Sequence, residues 1–471
     1  MLQRVTKLMG AGAVAFGLLL TAAGATTQLQ RPNIVVFLTD DQGYGDLSSY
    51  GHPTISTPRL DRMASEGIRF TSFYAAPACT PSRAQFMTGR YPVRSGLLVP
   101  QGPNSRVGLQ AEEVTLAEAL RTAGYRTGMV GKWHLGDFAS DAGFSPLAHG
   151  FDSFLGLPYS HDYRPPFVAG APPVPLYRDR EEVERPVVFE TLTQRFTDEA
   201  VRFIREADDR PFFLFVAYAM PHLPIDTPPA SRGRSRAGRY GDVIEEIDAS
   251  VGRVLDTLRL AGVDDRTLTV FFSDNGPWVN APPRSLQDTQ TLWDTGSAGP
   301  LRGTKGTTWE GGIRVPGIVR WPAGIGGGRT VADPVSALDL FPTLIRAGGG
   351  TVPVDRPIDG HDLLPFLTTG VPAPERQILF FAGGTAEAIR EGSWKLRLSR
   401  VTPPDGGDPT ITPELFDLDR DPFERRNVAA DYPDVAGRLR AAIESFRSTS
   451  GRFTPTGPPA NQLPQASGRR R

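Results

Sequence analysis

Four stretches of almost unbroken apolar residues, each ending in a cluster of polar groups, constrain this chain more than any other feature. Asn33–Thr39 runs into Asp40 and Asp41, and Arg126–Gly131 into Lys132, Trp133 and His134. Pro211–Ala219, sequence PFFLFVAYA, runs into Met220, Pro221 and His222, and Thr267–Ser273 into Asp274 and Asn275. A strand covered on one face alternates apolar with polar residues. Continuous runs mark strands covered on both faces, as in parallel sheets. Helical patterns over Glu113–Ala123, Thr193–Ala207 and Val243–Ala261 precede the second, third and fourth runs. Strand–helix alternation predicts a doubly wound α/β sheet. Ligands of such sheets bind beyond the carboxyl ends of the strands. All four polar clusters fall at those ends, so they can converge on one place.

Past about residue 375 the pattern changes. Ala388–Leu398 reads as a hairpin, Glu414–Leu418 as a strand and Val435–Phe446 as a closing helix. The expected organisation is a catalytic domain over 30–374, a small C-terminal α+β domain over 375–453 and a disordered tail over 454–471. At the other end, Arg4 and Lys7 precede the apolar stretch Ala11–Ala23, and Ala23-Gly24-Ala25 offers small residues for cleavage. This reads as a signal peptide over 1–25, with a retained anchor as the alternative. Export to a bacterial periplasm or the exterior follows, with no stable membrane insertion. The single cysteine excludes an internal disulfide. By composition alone it is a small buried apolar residue. A net charge of -1 argues against nucleic acid as the main partner. The Arg-rich run Ser231–Arg236 reads as a solvated loop.

The most informative stretch is Cys79-Thr80-Pro81-Ser82-Arg83, followed by Thr88-Gly89-Arg90. Proline near the start of an apolar helical run marks a helix N-terminus, so Cys79 sits where free N–H groups favour an anion. Arg83 lies one turn along the same face. This stretch resembles the signature of type I sulfatases, whose cysteine is oxidised to formylglycine. The second signature of that family resembles Gly124–Gly136, sequence GYRTGMVGKWHLG. Similarity runs from about Pro32 to Asn427. It takes in Asp40–Asp46, Phe154–Asp162, Lys305 with Trp309–Arg314, and Leu415–Leu418 with Asp421-Pro422. Arylsulfatase A is the subgroup this sequence resembles most. The resemblance implies an alkaline-phosphatase-like α/β fold, with a large mixed, mostly parallel sheet and a small C-terminal α+β domain.

It also implies a chemistry. A serine ester of sulfate is stable. A formylglycine hydrate carries two hydroxyls on one carbon, one to attack sulfur and one to collapse to the aldehyde and eject sulfate. Asp40, Asp41, Asp274 and Asn275 are hard oxygen donors suited to Ca²⁺, or to Mg²⁺, rather than Zn²⁺. By resemblance they are the metal ligands, joined by an oxygen of residue 79. Arg83, Lys132 and Lys305 match residues that offset sulfuryl charge. His134 matches the group that takes the proton as the sulfo-enzyme collapses, and His222, with Lys305, the general acid at the leaving oxygen. Ser160 aligns near the sulfate, and His161 beside it stays open. His52, His149 and His361 read as structural or exposed.

Two loops, 165–185 and 277–300, are expected to wall the pocket, with Trp278 or Trp293 available to stack on a ring. The implied partners are a small-molecule or glycan sulfate ester and a formylglycine-generating maturation enzyme. Two rivals stand beside this reading: a phosphonate or phosphate monoester hydrolase of the same superfamily, and a non-catalytic sulfoglycan-binding protein with unconverted Cys79.

Overall fold

The computed structural model describes residues 31–401 and 410–450. The expected signal peptide and C-terminal tail lie outside the described residues. Eleven strands form one sheet: β1 (Asn33–Thr39), β2 (Ile68–Tyr74), β3 (Arg126–Lys132), β4 (Ser153–Leu157), β5 (Leu176–Arg178), β6 (Glu181–Glu184), β7 (Phe212–Ala217), β8 (Thr267–Ser273), β9 (Arg314–Arg320), β10 (Arg329–Val331) and β11 (Val335–Ser336). Their order is β10-β2-β9-β8-β1-β7-β3-β4-β5-β6, with β11 also pairing β2. The central block β8-β1-β7-β3-β4 is parallel. Strand β9 runs antiparallel to both β2 and β8, which makes the sheet mixed.

The four apolar runs are β1, β3, β7 and β8, and all four lie in that central block. Their continuity has a direct cause. Ile34, Val36 and Leu38 of β1 face one core, which includes Phe86 and Phe341, while Val35 and Phe37 face the other, with Phe196 and Ile247. Helices Cys79–Thr88 and Ala337–Ala347 therefore cover one face, and Leu192–Arg205 and Gly238–Leu260 the other. Phe86 contacts Phe215 and Phe272, with ring centroids 5.3 and 5.4 Å away. Burying a side chain of this size contributes about 2 kcal/mol. Gly131 in β3 has φ +107°, and a Cβ there would stand 1.8 Å from the Ala217 carbonyl oxygen. No larger residue allows β3 and β7 to pair this closely. Among the described residues no helix is long and apolar enough to cross a membrane.

A second, antiparallel sheet holds β12 (Gln377–Ala382), β13 (Thr385–Glu391), β14 (Trp394–Val401) and β15 (Thr410–Asp417), covered by helix Pro433–Thr449. The predicted hairpin is β13–β14. A buried ion cluster ties this sheet to the large one. Lys395 Nζ lies 2.8 Å from Glu310 Oε1 and 2.8 Å from Glu424 Oε1, and all three side chains are fully buried. Tyr74 donates to Glu310 at 2.7 Å. Burial pushes the Glu310 carboxyl up, but Lys395, Arg314 and Arg390 outweigh it and hold it down at about 2. Glu310 therefore contributes stability above its ordinary 4.5, and the contribution is lost as pH falls toward 2. Lys395→Met would leave two buried carboxylates facing each other. We expect it to cost about 3–5 kcal/mol of stability at pH 7, read by urea denaturation. A change below 1 kcal/mol would show the cluster to be dispensable.

Candidate active site

The helix Cys79–Thr88 begins at Cys79, and all ten of its residues are buried. Ala78 precedes it without a side-chain cap, so the first N–H groups remain directed at whatever lies beyond the helix mouth. Each polar residue of the motif has a local task. Thr80 Oγ1 donates to the His134 carbonyl at 2.8 Å, tying the helix to the end of β3. Ser82 Oγ accepts from Ala76 N–H at 3.2 Å and fixes the preceding loop. Arg83 donates through Nε and Nη2 to Asp274 Oδ2 at 3.1 and 2.8 Å, and through Nη1 to the Lys132 carbonyl at 2.6 Å.

Sheet register brings the polar clusters together. Thr39 pairs with Ser273, so Asp40 and Asp274 emerge side by side, and Gly131 pairs with Ala217 one strand further on. One ligand atom each from Asp40, Cys79 and Asp274 lie within 4.8 Å of one another, as do atoms of Asp40, Asp41 and His222. Lys132 Nζ makes a short ion pair with Asp40, and Lys305 Nζ lies 2.7 Å from Asp41 Oδ1. Asn275 Nδ2 donates to Asp41 Oδ1 at 2.7 Å. Asp41 and His134 are non-glycine residues with φ of 66° and 61°. Such left-handed backbone costs on the order of 1–3 kcal/mol per residue and persists where surrounding bonds enforce it. Here Asp41 N–H donates to Asp274 Oδ1 at 3.1 Å, and His134 N–H to the Pro158 carbonyl at 3.0 Å.

These residues fit a hard cation. Asp40 Oδ1 and Asn275 Oδ1 are buried and have no hydrogen-bond partner among the described residues. The side-chain donor set is oxygen apart from the Cys79 sulfur and a His222 ring nitrogen. Burial pushes Asp274 up to about 7, reinforced by Asp40, and burial likewise raises Asp41. In Asp40 the push of burial is overcome by Lys132, His222, Arg83 and Lys305, and the carboxyl sits well below its usual range. Two of three adjacent carboxyls thus resist ionisation, a conflict that a divalent ion would relieve. Burial also pushes the Cys79 thiol up to about 11, so the unaltered side chain is neither thiolate nor nucleophile at neutral pH.

The histidines differ in their hydrogen bonding. Both ring nitrogens of His134 are buried without a partner among the described residues. Burial, then Lys132 and Arg83, pushes its pKa well down, so the ring is neutral. His222 Nδ1 faces the Leu223 carbonyl, which can only accept, and Nε2 lies 3.6 Å from Asp41 Oδ2. Burial and Lys305 lower its pKa too. His161 Nε2 bonds the Pro224 carbonyl at 2.9 Å, and its ring lies 5.7 Å from that of His222. Ser160, next to it in the chain, is buried beside Asp162. His149 is packed on Trp133, His52 accepts from the Thr54 and Ile55 N–H groups in a turn, and neither meets the cluster.

Of the two tryptophans in the 277–300 loop, Trp278 packs 5.4 Å from His222 with Lys305 Nζ 4.6 Å from its ring, whereas Trp293 is 90% exposed. Arg284 donates to the Phe167 carbonyl at 3.3 Å and so joins the two expected wall loops. Sequence reasoning passed over Gln42, whose fully buried side chain has no partner, and Asp162, noticed only as part of a run.

This mostly parallel sheet, with a carboxylate-rich helix mouth beyond its carboxyl ends, is the alkaline-phosphatase-like fold of the sulfatases it resembles. Residues 32–350 match the Sulfatase family model, and the chain belongs to that family. It is 38% identical to N-acetylgalactosamine-6-sulfatase of Canis lupus familiaris, over 92% of this chain and 89% of that protein. It is 36% identical to arylsulfatase A of Bos taurus, over 93% and 91%. The crystal structure of PsFucS1 sulfatase from Pseudoalteromonas sp. superimposes with a TM-score of 0.78 at 29% identity, covering 91% of this chain and 92% of that one. The likeness is thus to sulfatases of several kinds, arylsulfatase A among them.

Proposed function

We propose that this protein hydrolyses sulfate monoesters of small molecules or glycans, with residue 79 as nucleophile after conversion of Cys79 to formylglycine. The observation that carries the reading is the juxtaposition of Cys79 with Asp40 and Asp274 at the mouth of a buried helix. Asp40, Asp41, Asp274 and Asn275 would hold Ca²⁺, which supplies Lewis-acid stabilisation of charge on sulfate oxygens and on the hydrated aldehyde. Converted and hydrated, residue 79 offers two geminal hydroxyls, one to displace the alcohol and one to release sulfate. A maturation enzyme must carry out the conversion, and the basic, apolar N-terminus of the sequence suits export to a periplasm or the exterior.

The protein's own groups divide the remaining work. Lys132 and Lys305 bring fixed positive charge to a water-poor site, where it acts most strongly on a sulfuryl group. Arg83 is committed to Asp274 and the Lys132 carbonyl, so it acts chiefly by orienting the carboxylates. His134, neutral and unpartnered at both nitrogens, is poised to accept the proton lost as the sulfo-enzyme collapses. His222 is neutral beside Lys305, and an entering anionic ester favours its imidazolium form. It then donates from Nε2 to the leaving oxygen. Ser160 Oγ, buried beside Asp162, is available to a sulfate oxygen.

The test compares 4-nitrophenyl sulfate, 4-nitrophenyl phosphate and phenylphosphonate on protein from a host that matures sulfatases, with mass analysis of the residue-79 peptide. We expect sulfur replaced by oxygen at residue 79 and kcat/KM for the sulfate at least about 100-fold above the phosphorus esters. A preference for phosphorus esters would favour the rival hydrolase. Retained sulfur without turnover would favour a binding protein.

A further inference from the structure

Beside the pocket, on the His222 side, lies a pair of charges the mechanism does not use. The Asp162 side chain is 7% exposed, and its Oδ2 lies 3.6 Å from Arg284 Nη1. Its Oδ1 is buried with no hydrogen-bond partner among the described residues, and the same holds for His161 Nδ1 in the preceding residue. Two orphaned polar atoms in adjacent residues mark a place built to meet polar groups from outside the chain. Burial pushes the Asp162 carboxyl up, but His222, His161 and Lys132, with a hydrogen bond from the Ser160 hydroxyl, hold it below its ordinary range. It is therefore ionised, and an ionised carboxylate only accepts hydrogen bonds.

Its position ties it to the leaving-group side. His161 lies 5.7 Å from His222, ring to ring. Trp278 spans the gap, 5.4 Å from the His222 ring and 6.0 Å from the Arg284 guanidinium. Arg284 is 45% exposed on its side chain and pairs loosely with Asp162, so it holds that carboxylate in place without saturating it. A buried acceptor oxygen left unpartnered is costly unless the ligand brings a donor. A simple aryl ring brings none. A pyranose brings several hydroxyls close to its sulfated carbon.

We infer that Asp162, positioned by Arg284 and walled by Trp278, is a specificity residue that accepts a hydrogen bond from a free hydroxyl of a sulfated sugar. The inference rests on the sulfatase reading and narrows it to hexopyranose sulfates over aryl sulfates. A site that hydrogen-bonds a substrate hydroxyl discriminates strongly against analogues lacking it.

The experiment uses the matured enzyme, 4-nitrophenyl sulfate, and the best substrate from a panel of hexose and N-acetylhexosamine monosulfates, with sulfate release as the readout. Asp162→Asn should lower kcat/KM for the sugar sulfate by about 10- to 100-fold and for 4-nitrophenyl sulfate by less than about threefold. Retained aryl turnover certifies the fold of the variant. If the variant does not fold, monodeoxy analogues of the sugar sulfate are compared on the unaltered enzyme, and one should lose a similar factor. Equal loss on both substrates, no loss among the deoxy analogues, or turnover of the aryl ester alone overturns the inference while leaving the sulfatase reading intact. Turnover of neither ester by the unaltered enzyme removes both.

Discussion

Replacing Cys79 with alanine is expected to lower 4-nitrophenyl sulfate turnover by about four orders of magnitude or more, with the melting temperature changed by only a few degrees. Relative to the unconverted chain the substitution removes only the sulfur of a residue that is 1% exposed. The ion pairs of Lys132, Arg83 and Lys305 remain, so substrate binding should survive better than catalysis. Cys79→Ser sharpens the test. A serine hydroxyl can take the sulfuryl group but has no second hydroxyl to expel it, so a burst without turnover is expected. The neutral thiol matters here as well, because burial holds it up at about 11. Unconverted protein at pH 7 should be as inactive as the alanine variant, and mass analysis of the residue-79 peptide separates the two cases. Alanine protein retaining a tenth of the native rate would remove residue 79 from the mechanism.

Much of this site was legible because chemistry and strand periodicity coincide. The runs ending at Asp40, Lys132, His222 and Asp274 are central parallel strands, and their apolar continuity follows from two covered faces. Strand β9 escaped notice because Arg314, Pro316 and Arg320 interrupt its apolar pattern, although its antiparallel pairing with β8 and β2 hides most of its length. The helix expected from Glu113 starts at Leu116. Thr115 and Glu118 form a reciprocal capping box there, a signal present in the sequence at the right spacing. The left-handed backbone of Asp41 and His134 had no such signal. It depends on Asp274 and Pro158, far away in the chain. The role of Glu310 was equally hidden. The Trp309–Arg314 run entered only through the family resemblance, which gave Glu310 no task, yet Glu310 anchors Lys395 of the small sheet. Gly311 also lies so close that a Cβ on Gly276, next to Asn275, would meet its carbonyl oxygen at 1.8 Å. Asp162 and Arg284 are brought together only by two loops without periodicity.

Stripping divalent cations should abolish turnover by at least about 1,000-fold and lower the melting temperature, with both restored by Ca²⁺. The unpartnered oxygens of Asp40 and Asn275, which no side chain among the described residues satisfies, are matched by a divalent ion. In the ion-free site burial, reinforced by Asp40, lifts Asp274 to about 7, and burial raises Asp41. Protons therefore compete with the cation. Affinity for Ca²⁺ should weaken as pH falls through 7, because each raised carboxyl must lose its proton to bind. The stability readout is independent of catalysis: calcium at 100 times its dissociation constant contributes about 2.7 kcal/mol, and the melting temperature should climb with concentration. Asp274→Asn keeps the volume while removing a charge that Arg83 pairs with at 2.8 Å, so it should lose both turnover and the calcium-dependent shift. Full activity after a strip verified by elemental analysis, together with a melting temperature indifferent to Ca²⁺, would mean that Lys132, Arg83 and Lys305 alone neutralise the three carboxylates and that this pocket holds no ion.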